Sequence, residues 1–203
     1  PFYYVCDMIA NINSAVLFII IANVLVSMKG FNDYSFLDKF KFQVGKILSG
    51  EKIRMFTSGF LHVDWAHLGF NMYALYLFGG IVAGMLGVTN FLIIYFLSLL
   101  GGSLYSLKYH KNESYYSAVG ASGAVYGILV AFGLYFKDAK LALIFFPVPI
   151  AAKYFIPVMI LGDLFFGMTK YSVGNIAHFA HIGGALIGFI IAWYWKKNQF
   201  KVS

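Results

Sequence analysis

The residues best suited to chemistry in this chain are a serine held between glycines and four histidines placed in apolar segments. Ser122 lies between Gly120 and Gly123 in the stretch Ala118–Gly127, which reads AVGASGAVYG. A Gly-x-Ser-Gly at the start of a helix leaves the hydroxyl uncrowded and points unpaired backbone N–H groups beside it. Ser122 is therefore a candidate nucleophile. Small-residue clusters also pack membrane helices together, which is the alternative for this stretch taken alone.

A candidate base lies near the C-terminus, in the stretch NIAHFAHIGGALIG. His181, Gly184 and Gly188 have the spacing i, i+3 and i+7, so they share one nearly bare helix face. Bare faces let helices approach closely, and packing this face on the serine segment brings the His181 imidazole near the Ser122 hydroxyl. Such a pair is a nucleophile and its general base. His178 is the rival candidate, although the glycine phase favours His181.

Two polar residues on an upstream helix could hold a developing oxyanion. His67 and Asn71 are four residues apart and so lie on one helix face. Both side chains offer N–H donors, and two donors aimed at one point can stabilise a carbonyl oxygen that gains negative charge. The alternative is that they only join helices by hydrogen bonds. For His62, which lies off that face where the helix begins, a structural hydrogen bond to loop backbone is favoured.

The remaining candidates near the pair are Tyr126 and Asp163. Tyr126 is one turn from Ser122 and could stack on the His181 imidazole, with plain packing as the alternative. Nothing in the sequence places Asp163 on His181, so we expect a dyad rather than a triad. We also expect no metal and no cofactor, because neither histidine pair has a nearby carboxylate or cysteine to complete a ligand set.

The elements that must position these residues are membrane helices. The chain of 203 residues is 61% hydrophobic, 20% aromatic and only 11% charged, with a mean hydropathy of +0.77. Apolar runs of spanning length recur along it, and no segment alternates as a barrel strand does. The net charge of +7 does not indicate nucleic-acid binding, because the basic residues lie between or beside apolar runs. Cys6 is the single cysteine and can form no internal disulfide.

We therefore predict an all-α polytopic membrane protein with one domain over residues 1–203. Its six predicted transmembrane spans are 8–28, 60–85, 88–107, 118–136, 154–168 and 176–195. The basic, aromatic loop 29–55 is expected to be structured and to lie partly in the membrane interface. Prolines in the region 141–168 predict an interfacial piece before a short fifth span. Six spans place both termini on one side, and the distribution of basic residues leaves that side open.

Three motifs in order make the chain resemble the rhomboid family of intramembrane serine proteases. They are His-x4-His-x3-Asn on the second span, Gly-x-Ser-Gly opening the fourth, and Ala-His-x-x-Gly-x-x-x-Gly on the sixth, at 62–71, 120–123 and 180–188. The resemblance covers essentially the whole chain. One departure lies in the first loop, where many relatives carry Trp-Arg and this chain has Ile53 and Arg54. That departure concerns the anchoring of the loop rather than the chemistry.

The resemblance implies roles for individual residues. Ser122 would be the nucleophile, His181 the base, and His67, Asn71 and the backbone N–H of Ser122 the oxyanion hole. Tyr126 would pack against His181. The first loop would be a membrane-embedded support, and residues 164–174 would belong to a lateral gate. The termini would be cytoplasmic, and we expect a multi-pass protein of a bacterial inner membrane.

The sequence thus predicts a serine endopeptidase that cleaves single-span membrane proteins in the lipid bilayer through an acyl-enzyme. His62, His67, Asn71 and Ser122 are expected to line a cavity open to the outer aqueous side. The alternative is a non-catalytic, derlin-like rhomboid relative that binds membrane clients, although such relatives lack the serine and histidine. The oligomeric state stays open.

Overall fold

The computed structural model describes residues 13–143, 146–169 and 177–199. Three predicted features extend beyond these ranges: residues 8–12 of the first span, residues 170–174 of the predicted gate, and the start of the sixth span at 176. The elements, in chain order, are α1 Ser14–Asn32, α2 Tyr34–Phe40, β1 Phe42–Gln43, α3 Val44–Leu48, α4 Arg54–Thr57, α5 Trp65–Ala74, α6 Gly80–Leu86, α7 Val88–Tyr109, β2 Ser117–Ala118, α8 Ser122–Tyr135, β3 Lys140–Leu143, β4 Phe146–Ala151, α9 Ala152–Met168 and α10 His178–Gln199.

The architecture is an all-α polytopic membrane protein, as predicted. Within the described ranges four helical segments are long and apolar enough to cross a membrane: α1, the continuous segment Trp65–Leu86, α7, and α10. The shorter apolar helix α8 corresponds to the predicted fourth span, and α9 corresponds to the fifth. Fully buried apolar side chains such as Val16, Phe91 and Ile128 form the core between these helices.

The first loop is structured, as predicted, and is built around one buried arginine. The guanidinium of Arg54 donates to the carbonyl oxygens of Asp38 and Lys41 and pairs with Glu51 at 2.6 Å. The Lys41 ammonium lies 2.8 Å from the Asp38 carboxylate and lowers the pKa of that exposed group. Ile53, the residue before this arginine, is 63% exposed. Hydrogen bonds from the Arg54 guanidinium therefore hold the loop without an aromatic anchor at position 53.

The second span begins later than its apolar run suggests. Residues 58–60 form a 3₁₀ turn, and the helix starts at Trp65 because the Asp64 carboxylate accepts from the His67 N–H at 2.7 Å. A π-helical turn at Leu75–Gly79 joins α5 to α6. Such a turn inserts an extra residue and so rotates the face that the next helix presents. The polar residues of α5 and the apolar residues of α6 therefore do not have to lie on one continuous helix face.

The region before the fifth span, which was predicted as an interfacial piece, forms a β-hairpin. Strands β3 and β4 pair antiparallel, and Asp138 and Lys153 close their outer ends with a 2.7 Å ion pair. That contact lowers the pKa of Asp138, which is solvent-exposed. Helix α9 then runs through Pro157 without ending. A proline removes one backbone hydrogen bond, and a membrane helix tolerates that loss where neighbours compensate.

The glycines of α10 lie directly against the backbone of α8. A Cβ on Gly184 would overlap the backbone of Gly123, and one on Gly188 would lie 2.5 Å from the Cα of Gly127. Real Cβ atoms do not approach other atoms so closely, so any larger residue would force the helices apart. The predicted bare face of α10 is therefore a backbone-to-backbone contact with α8.

Candidate active site

Ser122 is the first residue of α8, and its backbone is set by the loop before it. Gly120 has φ of +139°, a conformation that L side chains rarely adopt, and its N–H donates to the Ser58 carbonyl at 3.0 Å. The first intrahelical bond runs from Val125 N–H to the Ala121 carbonyl at 3.0 Å. The N–H groups of the first turn, including that of Ser122, are therefore free of helical acceptors and lie beside the hydroxyl.

The side chains of Ser122 and His181 are in hydrogen-bond contact. Ser122 Oγ lies 2.8 Å from His181 Nε2, and the two residues are 59 positions apart in sequence. His181 belongs to the first turn of α10, so the glycine contact between α8 and α10 brings two helix starts together. An imidazole nitrogen at this distance can take the serine proton.

Asp163 on α9 also reaches the histidine, and the expectation that it would not is wrong. His181 Nδ1 lies 2.9 Å from Asp163 Oδ1, and His178 Nδ1 lies 2.7 Å from the same oxygen. Asp163 is only 7% exposed. The sequence shows no motif that links the fifth and sixth spans, so only packing places the carboxylate there. The signal that marked it was its charge, because an ionisable residue within a membrane span is a functional candidate by default.

Tyr126 covers one face of the imidazole. Its ring and that of His181 are stacked, with centroids 4.3 Å apart and planes within 12° of parallel. Tyr126 is one helical turn after Ser122, which is the placement that the spacing predicted. Aromatic stacking fixes the plane of the imidazole, and the nitrogens at its two ends face Ser122 and Asp163.

His67 and Asn71 lie on the other side of the serine loop. A Cβ added to Gly120 would lie 2.9 Å from His67 Nε2, so the bare backbone of Gly120 is what admits this ring. Asn71 is buried, and its Nδ2 donates to the carbonyl of His67 in the same helix at 3.0 Å. One amide N–H of Asn71 is thus used within α5. The His67 ring thus packs on the serine loop, and the Asn71 amide makes a hydrogen bond within its own helix.

His62 is part of the scaffold that holds the serine loop. Its Nδ1 lies 2.8 Å from Ser27 Oγ, which in turn donates to the Phe60 carbonyl, and the Ala121 N–H donates to its Nε2 at 3.5 Å. Because Nε2 accepts, the ring is neutral and Nδ1 carries the proton. The ring is fully buried. This arrangement is the structural hydrogen bond to loop backbone that the sequence favoured.

A small cavity of about 30 Å³ lies beside Ser122. Three further serines contribute to its lining, Ser58, Ser103 and Ser106, together with Gly120. The Ser106 hydroxyl is buried and has no hydrogen-bond partner among the described residues. A cavity needs roughly 10–15 Å³ for one water, so water fits here with polar partners. Of the predicted lining residues, His62, His67, Asn71 and Ser122, Ser122 lines this cavity and the other three do not.

The carboxylate also completes a set of groups that could bind a metal ion. Suitable ligand atoms of Asp163, His178 and His181 lie within 4.8 Å of one another. The expectation that neither histidine pair would find a nearby carboxylate is therefore wrong for this pair. The other pair, His62 and His67, belongs to no such group within the described parts of the chain.

The fold and these contacts define a polytopic helical membrane protein with a serine, a histidine and a carboxylate in one hydrogen-bonded line. Comparison with known proteins agrees with that class: the Rhomboid domain model matches residues 49–198. The chain belongs to the rhomboid family.

Three curated relatives illustrate the match. The chain is 38% identical over 151 residues to rhomboid protein 1, mitochondrial, of Saccharomyces cerevisiae, covering 72% of this chain and 42% of that protein. It is 32% identical over 207 residues to RHOMBOID-like protein 12, mitochondrial, of Arabidopsis thaliana, covering 92% and 60%. It is 38% identical over 146 residues to rhomboid protease GluP of Bacillus subtilis, covering 72% and 26%. The chain thus spans between about a quarter and three fifths of these relatives.

The relatives bear on location as well. The protein is an integral membrane protein, since its apolar helices and its family agree. Two of the three relatives are mitochondrial by name, and the match to one of them covers 92% of the chain. They weigh against the bacterial inner membrane that the sequence led us to expect.

Proposed function

We propose that the protein is an intramembrane serine endopeptidase in which Ser122 is the nucleophile and His181 the general base. The observation that carries the proposal is the 2.8 Å contact between Ser122 Oγ and His181 Nε2, made between two helix starts inside a membrane domain. Burying an ionisable side chain in a bilayer is costly, so its presence there indicates a functional site.

In the acylation step, His181 Nε2 takes the Ser122 proton while Oγ attacks the carbonyl carbon of the scissile peptide bond. The carbonyl oxygen gains a negative charge beside the free N–H groups at the start of α8, including that of Ser122. The tetrahedral intermediate then collapses, the C–N bond breaks, and the proton on His181 passes to the leaving amine. The product is an ester on Ser122.

Asp163 acts as a positioning residue in this scheme, so the proposed unit is a triad in place of the expected dyad. Its Oδ1 accepts the Nδ1 proton of His181 at 2.9 Å, which leaves Nε2 as the acceptor that faces Ser122. Its negative charge also stabilises the imidazolium that forms when the serine is deprotonated.

His67 is the side chain best placed to assist the oxyanion. It packs on Gly120, at the loop that presents the first-turn N–H groups of α8. Asn71 has one N–H committed to the His67 carbonyl and contributes through its second N–H. We assign both residues to the oxyanion hole, with His67 as the stronger donor.

Hydrolysis of the ester needs water in a protein surrounded by lipid. The serine-lined cavity beside Ser122 supplies it, because the Ser106 hydroxyl and its neighbours can hold water close to the acyl group. His181 then accepts a proton from that water as it attacks the ester carbonyl, and returns the proton to Ser122 Oγ. The acid product leaves and the enzyme is restored.

The proposed substrates are single-span membrane proteins that enter from the lipid. Helix α9 carries the carboxylate, yet it exposes large apolar side chains such as Val158, Leu161 and Phe165. We assign the end of this helix, from Leu164, to the lateral gate. An α-helical peptide bond is shielded by its own hydrogen bonds, so substrates need weak helicity at the cut. A panel cleaved equally well with and without helix-breaking residues would contradict this requirement.

We place the protein in a mitochondrial membrane, since two of its relatives, one of which matches 92% of the chain, carry that location in their names. Subcellular fractionation of cells that express the protein tests this assignment. Recovery with mitochondrial membranes is expected, and recovery in another membrane fraction would overturn it.

The decisive experiment is cleavage of a reconstituted single-span substrate by the parent protein, by Ser122→Ala and by a matched control, Ser98→Ala. Ser98 is a fully buried serine that lies against Gly127 of α8, away from His181. Cleavage by the parent and the control but not by Ser122→Ala is expected. Cleavage by Ser122→Ala would exclude this nucleophile, and no cleavage by any form across several substrates would favour a non-catalytic, client-binding protein.

A further inference from the structure

His178 has no step in the proposed hydrolysis, yet its ring is buried beside the site. Its Nδ1 lies 2.7 Å from Asp163 Oδ1, the same oxygen that His181 Nδ1 approaches at 2.9 Å. One carboxylate oxygen thus faces two imidazole nitrogens from one turn of α10. Orienting His181 requires only the contact between its own Nδ1 and Asp163. The contact between His178 and Asp163 therefore needs a separate explanation.

The second oxygen of the Asp163 carboxylate also needs an explanation. Asp163 Oδ2 is buried and makes no hydrogen bond of standard length to a described residue, although the Tyr126 hydroxyl interacts with the carboxylate. Buried carboxylate oxygens are rarely left without a partner, because desolvation without compensation is unfavourable. Two imidazole nitrogens and a carboxylate are also the donor set of well-known zinc sites.

We propose that Asp163, His178 and His181 form a binding site for a zinc ion and that zinc bound there inhibits the protein. The inhibition rests on the proposed function, because it acts through the role of His181 as base. The binding does not rest on it, since three ligand atoms from α9 and α10 already lie within 4.8 Å of one another.

The three groups must shift to accept the ion, because their ligand atoms now lie within 4.8 Å of one another rather than at tetrahedral distances. Zinc bonds of about 2.0–2.2 Å in a tetrahedral site place neighbouring ligand atoms about 3.3 Å apart. The two observed N···O distances, 2.7 and 2.9 Å, are hydrogen bonds and must lengthen by about 0.5 Å to admit the metal. A rotation of the Asp163 carboxylate together with small movements of the two imidazole rings would give this spacing, and the fourth position is left for water.

Zinc at this site removes the base by changing the tautomer of His181. A metal on Nδ1 needs the lone pair of that nitrogen, so the single proton of the neutral ring moves to Nε2. Nε2 then donates to Ser122 Oγ where before it accepted, and it can no longer take the serine proton. The ring gains and loses no proton overall, and no covalent bond of the protein changes.

The test measures binding and inhibition separately. Binding is followed on the Ser122→Ala protein by competition with a fluorescent zinc chelator, so it needs no proteolysis. We expect one zinc per chain, and His178→Asn in the same background should raise Kd by about 100-fold or more, because even an outer-shell partner is worth 10–100-fold. The asparagine keeps an N–H donor for Asp163 but offers no imidazole.

Inhibition is followed as cleavage of the reconstituted substrate in buffered zinc, each variant compared with its own zinc-free rate. The parent should lose activity over the range in which Ser122→Ala binds zinc, and His178→Asn should need about 100-fold more. His110→Asn is the matched control, since His110 lies at the end of α7 and pairs with Glu113. It should behave as the parent does.

Three results would overturn the inference. If zinc binds equally strongly after His178→Asn, the zinc lies elsewhere. If zinc inhibits His110→Asn less than it inhibits the parent, the zinc also lies elsewhere. Zinc binding at the expected site without loss of cleavage would refute the inhibition. If the parent cleaves no substrate, the proposed function fails, and the binding arm alone still decides whether the site exists.

Discussion

The two histidine pairs of the protein differ in what their nitrogens face. His62 and His67 have ring centroids 4.9 Å apart, and the nitrogens of His62 face a hydroxyl and a backbone N–H. His178 and His181 have centroids 6.4 Å apart and both direct Nδ1 at one carboxylate oxygen. In the first pair, His62 has the features of a neutral structural residue and His67 those of an oxyanion donor. The second pair has those of a base, because the carboxylate faces Nδ1 of His181 and Nε2 of the same ring faces the Ser122 hydroxyl.

The comparison predicts the largest effect at His181. His181→Ala should lower kcat by at least about 10⁴-fold, because serine hydrolases lose that much or more when the base is removed. His62→Ala should lower it far less. Cleavage rates normalised to folded protein check the contrast, and comparable losses in the two variants would contradict the assignment of the base.

Asp163→Asn should have the next largest effect, a fall in kcat of about 10²–10⁴-fold with little change in KM. The amide cannot accept in the same way, so His181 loses its tautomer and the imidazolium loses its counter-charge. The rate at which a fluorophosphonate labels Ser122 reports nucleophile activation without any substrate at the gate. It should fall in Asp163→Asn and recover partly in Asp163→Glu; an unchanged labelling rate would mean a structural role only.

His67→Ala should lower kcat by about 10²-fold, the loss typical of one oxyanion donor. Asn71→Ala should lower it less, since one N–H of Asn71 already bonds the His67 carbonyl. KM should change little in either case. If Asn71→Ala proves the more damaging, the main donor is the amide, and the contact between His67 and Gly120 only supports packing.

The smallest effect on turnover is expected at His62. His62→Leu leaves the Ala121 N–H without its partner and removes the contact of the Ser27 hydroxyl with the ring, which should lower the free energy of unfolding by about 1–3 kcal/mol. Thermal unfolding in detergent measures it, with Ser27→Ala as the control that removes the Ser27 contacts to His62 and to the Phe60 carbonyl but keeps the contact between His62 and Ala121. The kcat of the protein that remains folded should fall less than about tenfold; a larger fall would give His62 a direct part in the chemistry.

Much of this arrangement follows from sequence alone. The apolar runs predicted the helices, and the i, i+3, i+7 phase of His181, Gly184 and Gly188 predicted the face that meets α8. Each of these signals lies within one element, where periodicity is strict. Tyr126 was found in the same way, because it is one turn from Ser122.

The features that sequence did not predict arise between elements. Asp163 reaches His181 through the packing of α9 on α10, and no spacing rule relates the residues of separate helices. The region before α9 was predicted only as an interfacial piece, and the pairing of β3 with β4 makes it a hairpin. The start of α5 depended on the Asp64 cap, which hydrophobicity does not reveal. Longer-range packing and local capping thus decided what periodicity could not.

The contact of Gly123 and Gly127 with Gly184 and Gly188 has a consequence for how the protein responds to its lipid. A change in bilayer thickness is accommodated by tilting helices. Helices α8 and α10 touch through backbone, so they tilt as one body and the distance between Ser122 and His181 is preserved. Of the two glycines of α9, Gly167 faces side chains of α10 rather than its backbone, and Gly162 faces no atom within 4 Å. The carboxylate is therefore the part of the triad that lipid thickness can tune.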